Sequence, residues 1–388
     1  MSFHIFHINE VYSNADGTVQ FIEFVGDSNG QDQWATETMT STGAVDYTFA
    51  SDLPSSSTLG ESVLVATQGF ADLGLVTPDY IIPDGFLSVS GGTLTFIGMD
   101  SITFGALPGG TQSINGSGVT GTNSPTNFDG DSASIPGNPI VGTAASNTLS
   151  GTNAKDYMFG IGGNDTLNGR GGSDTVNGGT GNDILTGGAG SDVLIGGTGK
   201  DTASYQSGSA SGITLNLGLT GAQATGGAGT DTLSGIERVT GSGFADKLTG
   251  SNSANVLKGL GGGDTLAGRG GDDTLNGGGG ADKFLFNSAL NVGTNVDVIA
   301  DFAPGTDRIH LDEDIFTALA AGALPPGRFH SVPGATDAND ETDRIIYDSA
   351  DGHLFYDADG TGAVHSAIQF ATLTGSPTIT AADFLIIA

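Results

Sequence analysis

"GGTGNDILTGGAGSDVLIGGTGKD", residues 178–201, repeats one phrase every nine positions: two glycines, a spacer, a glycine, a spacer, an aspartate, then a short stretch with an apolar residue. The phrase starts in degenerate form at 142 (GTAASNTLS) and 151 (GTNAKDYMF) and continues at 160, 169, 178, 187 and 196 without a slip. An insertion follows, with the alternating stretch GITLNLGL (212–219) and one isolated copy at 226 (GGAGTDTLS). The rhythm resumes at 241, 250, 259, 268 and 277. A fixed period of this kind is the mark of a repeat architecture.

The eighth position of the phrase is apolar: Leu149, Met158, Leu167, Val176, Leu185, Leu194, Leu233, Leu248, Leu257, Leu266 and Leu275, with Ala203 and Phe284 departing in size. A flexible Gly- and Asp-rich linker does not explain that pattern. Glycine permits tight bends but loses the most backbone freedom on folding. One inward aliphatic side chain per nine residues buries too little apolar surface to offset that loss, and stacked carboxylates repel. A bound cation coupled to folding supplies what is missing.

The copies resemble the G-G-x-G-x-D-x-U-x calcium-binding repeat of RTX (hemolysin-type) proteins, most closely over 160–201 and 259–282. That resemblance implies a parallel β-roll in which two nonapeptides make one turn, "xUx" forms a short strand with U inward, and "GGxGxD" forms the corner. It also implies several Ca2+ ions, each lined by second- and fourth-position carbonyls and sixth-position aspartates shared with the copy two repeats away. Carried onto this chain, the aspartates are Asp156, Asp165, Asp174, Asp183, Asp192, Asp201, Asp231, Asp246, Asp264, Asp273 and Asp282. The corner glycines are Gly163, Gly172, Gly179, Gly181, Gly188, Gly190, Gly197, Gly199, Gly227, Gly229, Gly262, Gly271, Gly278 and Gly280.

Eighteen residues per turn puts Asp165, Asp183 and Asp201 on one edge and Asp174 and Asp192 on the other. In the second block Asp246, Asp264 and Asp282 share an edge and Asp273 faces Asn255. Calcium takes six to eight oxygens, which alternate carboxylates and bent carbonyls provide. Asn147 and Asn255 replace the aspartate, and the copies at 142, 151 and 250 lack the fourth-position glycine, so weak or empty sites are expected there.

The totals agree with a cation partner. The 388 residues include 67 Gly, and 43 Asp and Glu stand against 11 Lys and Arg, a formal net charge of -32. Such a field repels phosphate backbones and anionic lipids, which excludes nucleic acid as a partner. There is no cysteine for a disulfide or thiolate site. The first Lys is Lys155 and the first Arg is Arg170, so the chain as read lacks the positive region that opens a signal peptide. No apolar run of about 18 residues is present, so no membrane span is expected.

Upstream, residues 1–130 read as a β-sandwich: FHINEVY (6–12) and TVQFIEFVG (18–26) flank the turn residues SNADG, and further β-rich runs follow at 62–69, 93–98 and 101–107. INEVYSNADGTVQFIEF and TNSPTNFDG (122–130) resemble the lamin-tail domain. That implies an immunoglobulin-like fold, an extracellular or surface setting, and no catalytic set. DSASIPGNPIV (131–141) reads as a linker. The remaining divisions are a first block at 142–204, an insertion at 205–240, a second block at 241–290 and a C-terminal region at 291–388.

The C-terminal region resembles the one that follows the repeats in serralysin-type secreted proteins, through Asp297, Ile299, Asp301, Phe302, Pro304, Gly305, Asp307 and Ile309. It implies a cap on the roll, and the ending TAADFLIIA resembles the uncleaved signal read by an ABC-type exporter. DADG (357–360) lacks the distal Glu of an EF-hand and reads as a hairpin turn.

No H-E-x-x-H occurs, the letters of G-x-S-x-G occur once, as GDSNG (26–30), His4, His7, His310, His330, His353 and His365 are scattered, and SSS within 52–62 reads as a loop. The reading is an all-β, secreted, calcium-binding protein without catalysis, serving as a matrix, surface-layer or adhesion module with a cell-surface or glycan ligand. The alternative is an extracellular hydrolase using Glu10, Asp16 and Glu23 in the first domain.

Overall fold

Alternation in FHINEVYS and QFIEFVG sends successive side chains to opposite faces of a sheet, and both faces are apolar. The computed structural model describes residues 6–13, 17, 19–27, 33–55, 58, 60–71, 76–83, 85–96, 100–104, 106–107, 112–115, 120–122, 139–291, 293–362 and 364–388. Strands dominate it, broken by one four-residue helix, Gln68–Ala71, and two short 3-10 turns. The chain divides into two units, residues 1–145 with 156–161, and residues 146–155 with 162–388.

In the first unit Phe6–Ser13 pairs antiparallel with Gln20–Gly26, which pairs antiparallel with Ser62–Thr67. A register shift between Ile8 and Glu10 interrupts the alternation, so Ile8 and Val11 join Ile22, Phe24, Val63 and Val65 on one face of this sheet. A second sheet of Thr38–Ser41, Tyr47–Thr48, Gly92–Phe96 and Asp100–Phe104 adds Met39, Leu94, Phe96, Ile102 and Phe104 to the same core. Trp34 sits inside it, stacked on Tyr80 at 5.6 Å and edge-on to Phe6 at 5.1 Å. This is a two-sheet sandwich.

The other face carries Tyr12, Phe21, Leu64, Ala66, Phe70 and Val76, and Phe159 is buried with them while Val141, Tyr157 and Ile161 pack against the cluster. Ile140–Thr143 pairs parallel with Tyr157–Ile161, so strands of the first two repeat copies complete the first unit's second core. Of the expected linker, 131–138 lies outside the described residues and 140–141 belongs to that strand. Residues 123–130 of the lamin-tail-like stretch, His4 and Asp16 also lie outside the described residues.

The second unit is a coil of parallel strands. One twelve-stranded sheet runs through Thr148–Ser150, Thr166–Asn168, Ile184–Thr186, Thr202–Ser204, Arg238–Thr240, Val256–Gly261 and Thr274–Gly279, and enters the C-terminal region at Asp297–Ile299. Leu167, Leu185, Ala203, Val239, Leu257, Leu275 and Ile299 stack in register along it and are all buried. A facing row is made by Val176, Leu194 and Leu233, then by Leu215, Leu248, Leu266, Phe284, Ile309 and Phe384. The fold is a parallel β-roll with β-rich flanks.

The twelve-stranded sheet does not break at the insertion. The strand after Thr202–Ser204 is Arg238–Thr240, and the strand after Val193–Thr198 is Gly229–Ser234. The extra chain loops out and adds Thr214–Asn216, which starts a new seven-stranded sheet beside Lys247–Thr249.

Candidate metal centre

Each coil is tied to the next by its corner aspartate. The backbone N–H of Asp165 donates to Oδ1 of Asp183 at 2.8 Å, and that of Asp183 to Oδ1 of Asp201 at 2.8 Å. Asp174 donates likewise to Asp192, Asp246 to Asp264, Asp264 to Asp282, and Asn255 to Asp273. The pairs expected from an eighteen-residue turn are therefore adjacent.

The second oxygen is treated differently. Oδ2 of Asp165, Asp183, Asp192, Asp201, Asp264, Asp273 and Asp282 is buried with no hydrogen-bond partner. Buried polar atoms are nearly always paired, and an ionised carboxylate left so costs several kcal/mol, on the order of the penalty for any uncompensated buried charge. Burial accordingly pushes these carboxyls up: Asp192 to about 6, Asp264 and Asp273 to about 7. Asp165, Asp183, Asp201 and Asp282 are raised for the same leading reason.

Corner backbone supplies the rest. Second-position Gly179, Gly188, Gly197 and Gly278 and fourth-position Gly163, Gly172, Gly181, Gly190, Gly199, Gly229, Gly262, Gly271 and Gly280 all have positive φ. Alternating left-handed residues turn successive carbonyls out of line, as oxygen-ligand sites require. Space excludes side chains as well: a Cβ on Gly190 would lie on the carbonyl oxygen of Gly172, and one on Gly178 against Oδ2 of Asp183. Orphaned carboxylate oxygens beside bent carbonyls fit a hard dication.

Four corners are built another way. Those at 142, 151, 241 and 250 carry Thr143, Thr152, Ser242 and Ser251 at the second position, and each hydroxyl accepts the fourth-position N–H, from Ala145, Ala154, Phe244 and Ser253. None of these eight residues has positive φ. Ser242 also donates its N–H and its hydroxyl to Asp246, and Ser251 does the same for Asn255. At Asp246 the backbone N–H of Ser242 takes Oδ2, the oxygen that the other corners leave free.

One coil later the pattern reverses. Ile161, Arg170, Leu260 and Arg269, the non-glycine second-position residues with φ of 76, 74, 81 and 74, each follow such a corner by one turn. After a glycine-type corner the same position meets a carbonyl: a Cβ on Gly188, Gly197 or Gly278 would sit on the oxygen of Arg170, Gly179 or Leu260.

Not every expected ligand keeps a free oxygen. Asp231 accepts from the Tyr205 and Thr225 hydroxyls as well as from the Asp192 N–H, and Asp246 is satisfied by Ser242 and the Ile213 N–H. Gly227 lacks the positive φ of its counterparts; Gly226 carries it instead. Asp156 belongs to the first unit, at the corner before Tyr157–Ile161.

The ladder also contains residues outside the recognised phrases. Asp201 donates its N–H to Glu237, Asp273 to Asp297 and Asp282 to Asp307. Asp297 is pushed up to about 8, by burial first and then by the charge of Asp273. Gly235, Glu237 and Val239, counted back nine from the copy at 241, form a repeat with Glu in the aspartate place. Asp297-Val298-Ile299 and Asp307-Arg308-Ile309 repeat the D-x-U core with one corner glycine each, Gly293 at the second position and Gly305 at the fourth, both at positive φ.

The RTX calcium-binding nonapeptide repeat model (4 copies) matches residues 141–176, 168–203, 231–266 and 249–284. No curated protein sequence matches the chain. Among solved structures that resemble it is the crystal structure of the extracellular lipase LipA from Serratia marcescens, with a TM-score of 0.20 and 18% identity. The alignment covers 63% of this chain and 40% of that one, so the chain spans less than half of that lipase. Residues 141–203 and 231–284 carry calcium-binding RTX nonapeptide repeats.

Proposed function

We propose that the protein is a secreted, non-enzymatic, calcium-dependent module of the extracellular matrix, surface layer or an adhesive surface, whose roll folds when it meets Ca2+ outside the cell. The row of buried, partnerless Oδ2 atoms carries this reading. Without a dication the row is a line of desolvated like charges; with one, each oxygen gains a ligand bond. The ligands would be those aspartates with the second- and fourth-position carbonyls of the glycine-type corners. The ion neutralises the carboxylates and crosslinks successive coils, while the chain's own part is to hold the oxygens in register and exclude water.

Folding that waits for Ca2+ suits passage of an unfolded chain through an ABC-type exporter, and the ending TAADFLIIA supplies the resemblance for that route. In the same reading the sandwich is a lamin-tail-like contact domain for a cell-surface or glycan partner. Circular dichroism of the full chain at pH 8, with and without chelator, tests the central claim: strand signal beyond the sandwich's own and a cooperative transition of the roll should appear only on adding Ca2+. A full β spectrum indifferent to Ca2+ would refute it.

The hydrolase alternative rests on Glu10 and Glu23, which lie directly opposite each other on neighbouring strands and are buried. Glu10 accepts from the Ser113 hydroxyl at 3.0 Å and Glu23 from the Asn9 amide at 2.8 Å. Activity on ester or glycosidic substrates that disappears in Glu23→Gln would favour it.

A further inference from the structure

The looped-out insertion builds a cavity of about 420 Å³ against the outer face of the seven-stranded sheet, between the 217–224 segment and strands Thr214–Asn216, Lys247–Thr249, Thr265–Ala267 and Lys283–Phe286. Its lining departs from the rest of the chain. Lys247 and Arg269, two of only 11 basic residues, border it, and no carboxylate does so among the described residues, although the chain has 43. Gln223 borders it as well. That side chain is 7% exposed, its Oε1 accepts the Asn216 N–H at 2.8 Å, and its Nε2 has no hydrogen-bond partner.

Amide N–H2, ammonium and guanidinium groups are donors only. Lys247 and Arg269 line a cavity without carboxylates among the described residues, next to the buried Gln223 amide, and together call for a ligand rich in acceptors; an amide left without a partner costs about 1–3 kcal/mol. The volume suits an organic ligand rather than an inorganic ion. Thr249 and Asn287 add hydroxyl and amide groups, and Leu219, half exposed at 51%, offers an apolar edge for a ring.

We infer that this cavity binds a carboxylate-bearing sugar, a uronic acid unit, with its oxyanion toward Gln223, Lys247 and Arg269. None of the three side chains is an ion ligand in the proposed calcium sites, so the site needs the folded roll but not the assigned role. The free sugar and a residue of an acidic polysaccharide share this chemistry.

Calorimetry on the calcium-saturated full chain tests it with three probes: glucuronate, glucose and a short oligouronate. Saturable binding of glucuronate, with none to glucose, is expected. An oligouronate that binds tenfold or more tightly than glucuronate makes the polymer the source, and equal affinity makes it the free sugar. Gln223→Glu keeps the Oε1 acceptor but replaces the N–H2 with a charged oxygen, and should weaken binding at least tenfold. Lys247→Gln, on an exposed side chain, should weaken it with the calcium-dependent fold unchanged. Absence of glucuronate binding to folded protein, equal binding of glucose, or full affinity in both variants overturns the inference and leaves the calcium reading standing.

Discussion

The backbone N–H of Asp264 donates to Oδ1 of Asp282 at 2.9 Å, one full coil away, while Oδ2 of each residue is buried without a partner. A single carboxylate thus holds the neighbouring coil through one oxygen and keeps the other for the proposed ion site. The two roles can be separated by substitution.

Asp264→Asn retains an oxygen for the Asp246 N–H and places N–H2 where Oδ2 was. Calorimetric calcium titration of the variant should show fewer ions bound and a midpoint raised several-fold, with the β spectrum recovered at saturating Ca2+. An isotherm identical to that of the parent would remove Asp264 from the ligand set.

Acidity should act in opposite directions on the two states. The folded-state values of about 6 to 8 for Asp192, Asp264, Asp273 and Asp297 lie above the unfolded value near 4. Between these limits the calcium-free folded roll holds protons that the unfolded chain has released. Its stability is therefore greatest below about pH 4 and is lost as pH rises through 6 to 8. Ca2+ must displace the same protons, so calcium affinity should fall as pH drops from 8 to 6. Melts of calcium-stripped protein at pH 5 and 8 check the first statement and titrations at pH 8 and 6 the second. A higher melting temperature at pH 8 without calcium contradicts the scheme.

Corner glycines should differ sharply in tolerance. Gly190 has φ +148 and abuts the Gly172 carbonyl, whereas nothing lies within 4 Å of a Cβ on Gly243. Gly190→Ala should cost more than about 2 kcal/mol and Gly243→Ala no more than about 0.5. Arg170, held at φ 74, gives the converse: Arg170→Gly should stabilise the calcium-loaded roll by roughly 1 kcal/mol. Thermal melts at saturating Ca2+ rank all three.

Hydroxyl corners should behave as calcium-independent turns. Ser242→Ala removes the acceptor for the Phe244 N–H and a donor to Asp246, a loss of about 1 kcal/mol by analogy with helix caps. The number of ions bound should stay constant. A change in stoichiometry would place an ion at this corner.

The nine-residue period made most of this legible, because inward residues such as Leu185 and Leu266 must recur once per half-turn whatever the spacer residues are. The cap aspartates and Glu237 were harder to see. What the ladder requires is a carboxylate two residues before an inward aliphatic, and the corners before Asp297 and Asp307 keep only one glycine each, Gly293 and Gly305, instead of the full phrase. Spacing hid the rest: Asp192 meets Asp231 after 39 residues and Asp201 meets Glu237 after 36, since the length of a looped-out segment leaves no periodic trace. The hydroxyl corners were visible as G-T or G-S at 142, 151, 241 and 250. Their meaning depended on backbone angles that composition does not reveal.

Every coil of a parallel roll offers the next one an identical row of free N–H and C=O groups, so a roll that simply stopped would present a sticky rim to other molecules. Here the direction reverses: Gly322–Ala323 runs antiparallel beside Phe384–Ile387, and Ile345–Asp348, His353–Tyr356 and Ile368–Leu373 form an antiparallel meander on the other sheet. Chain reversal removes the parallel register on which a further coil of the same spiral would stack.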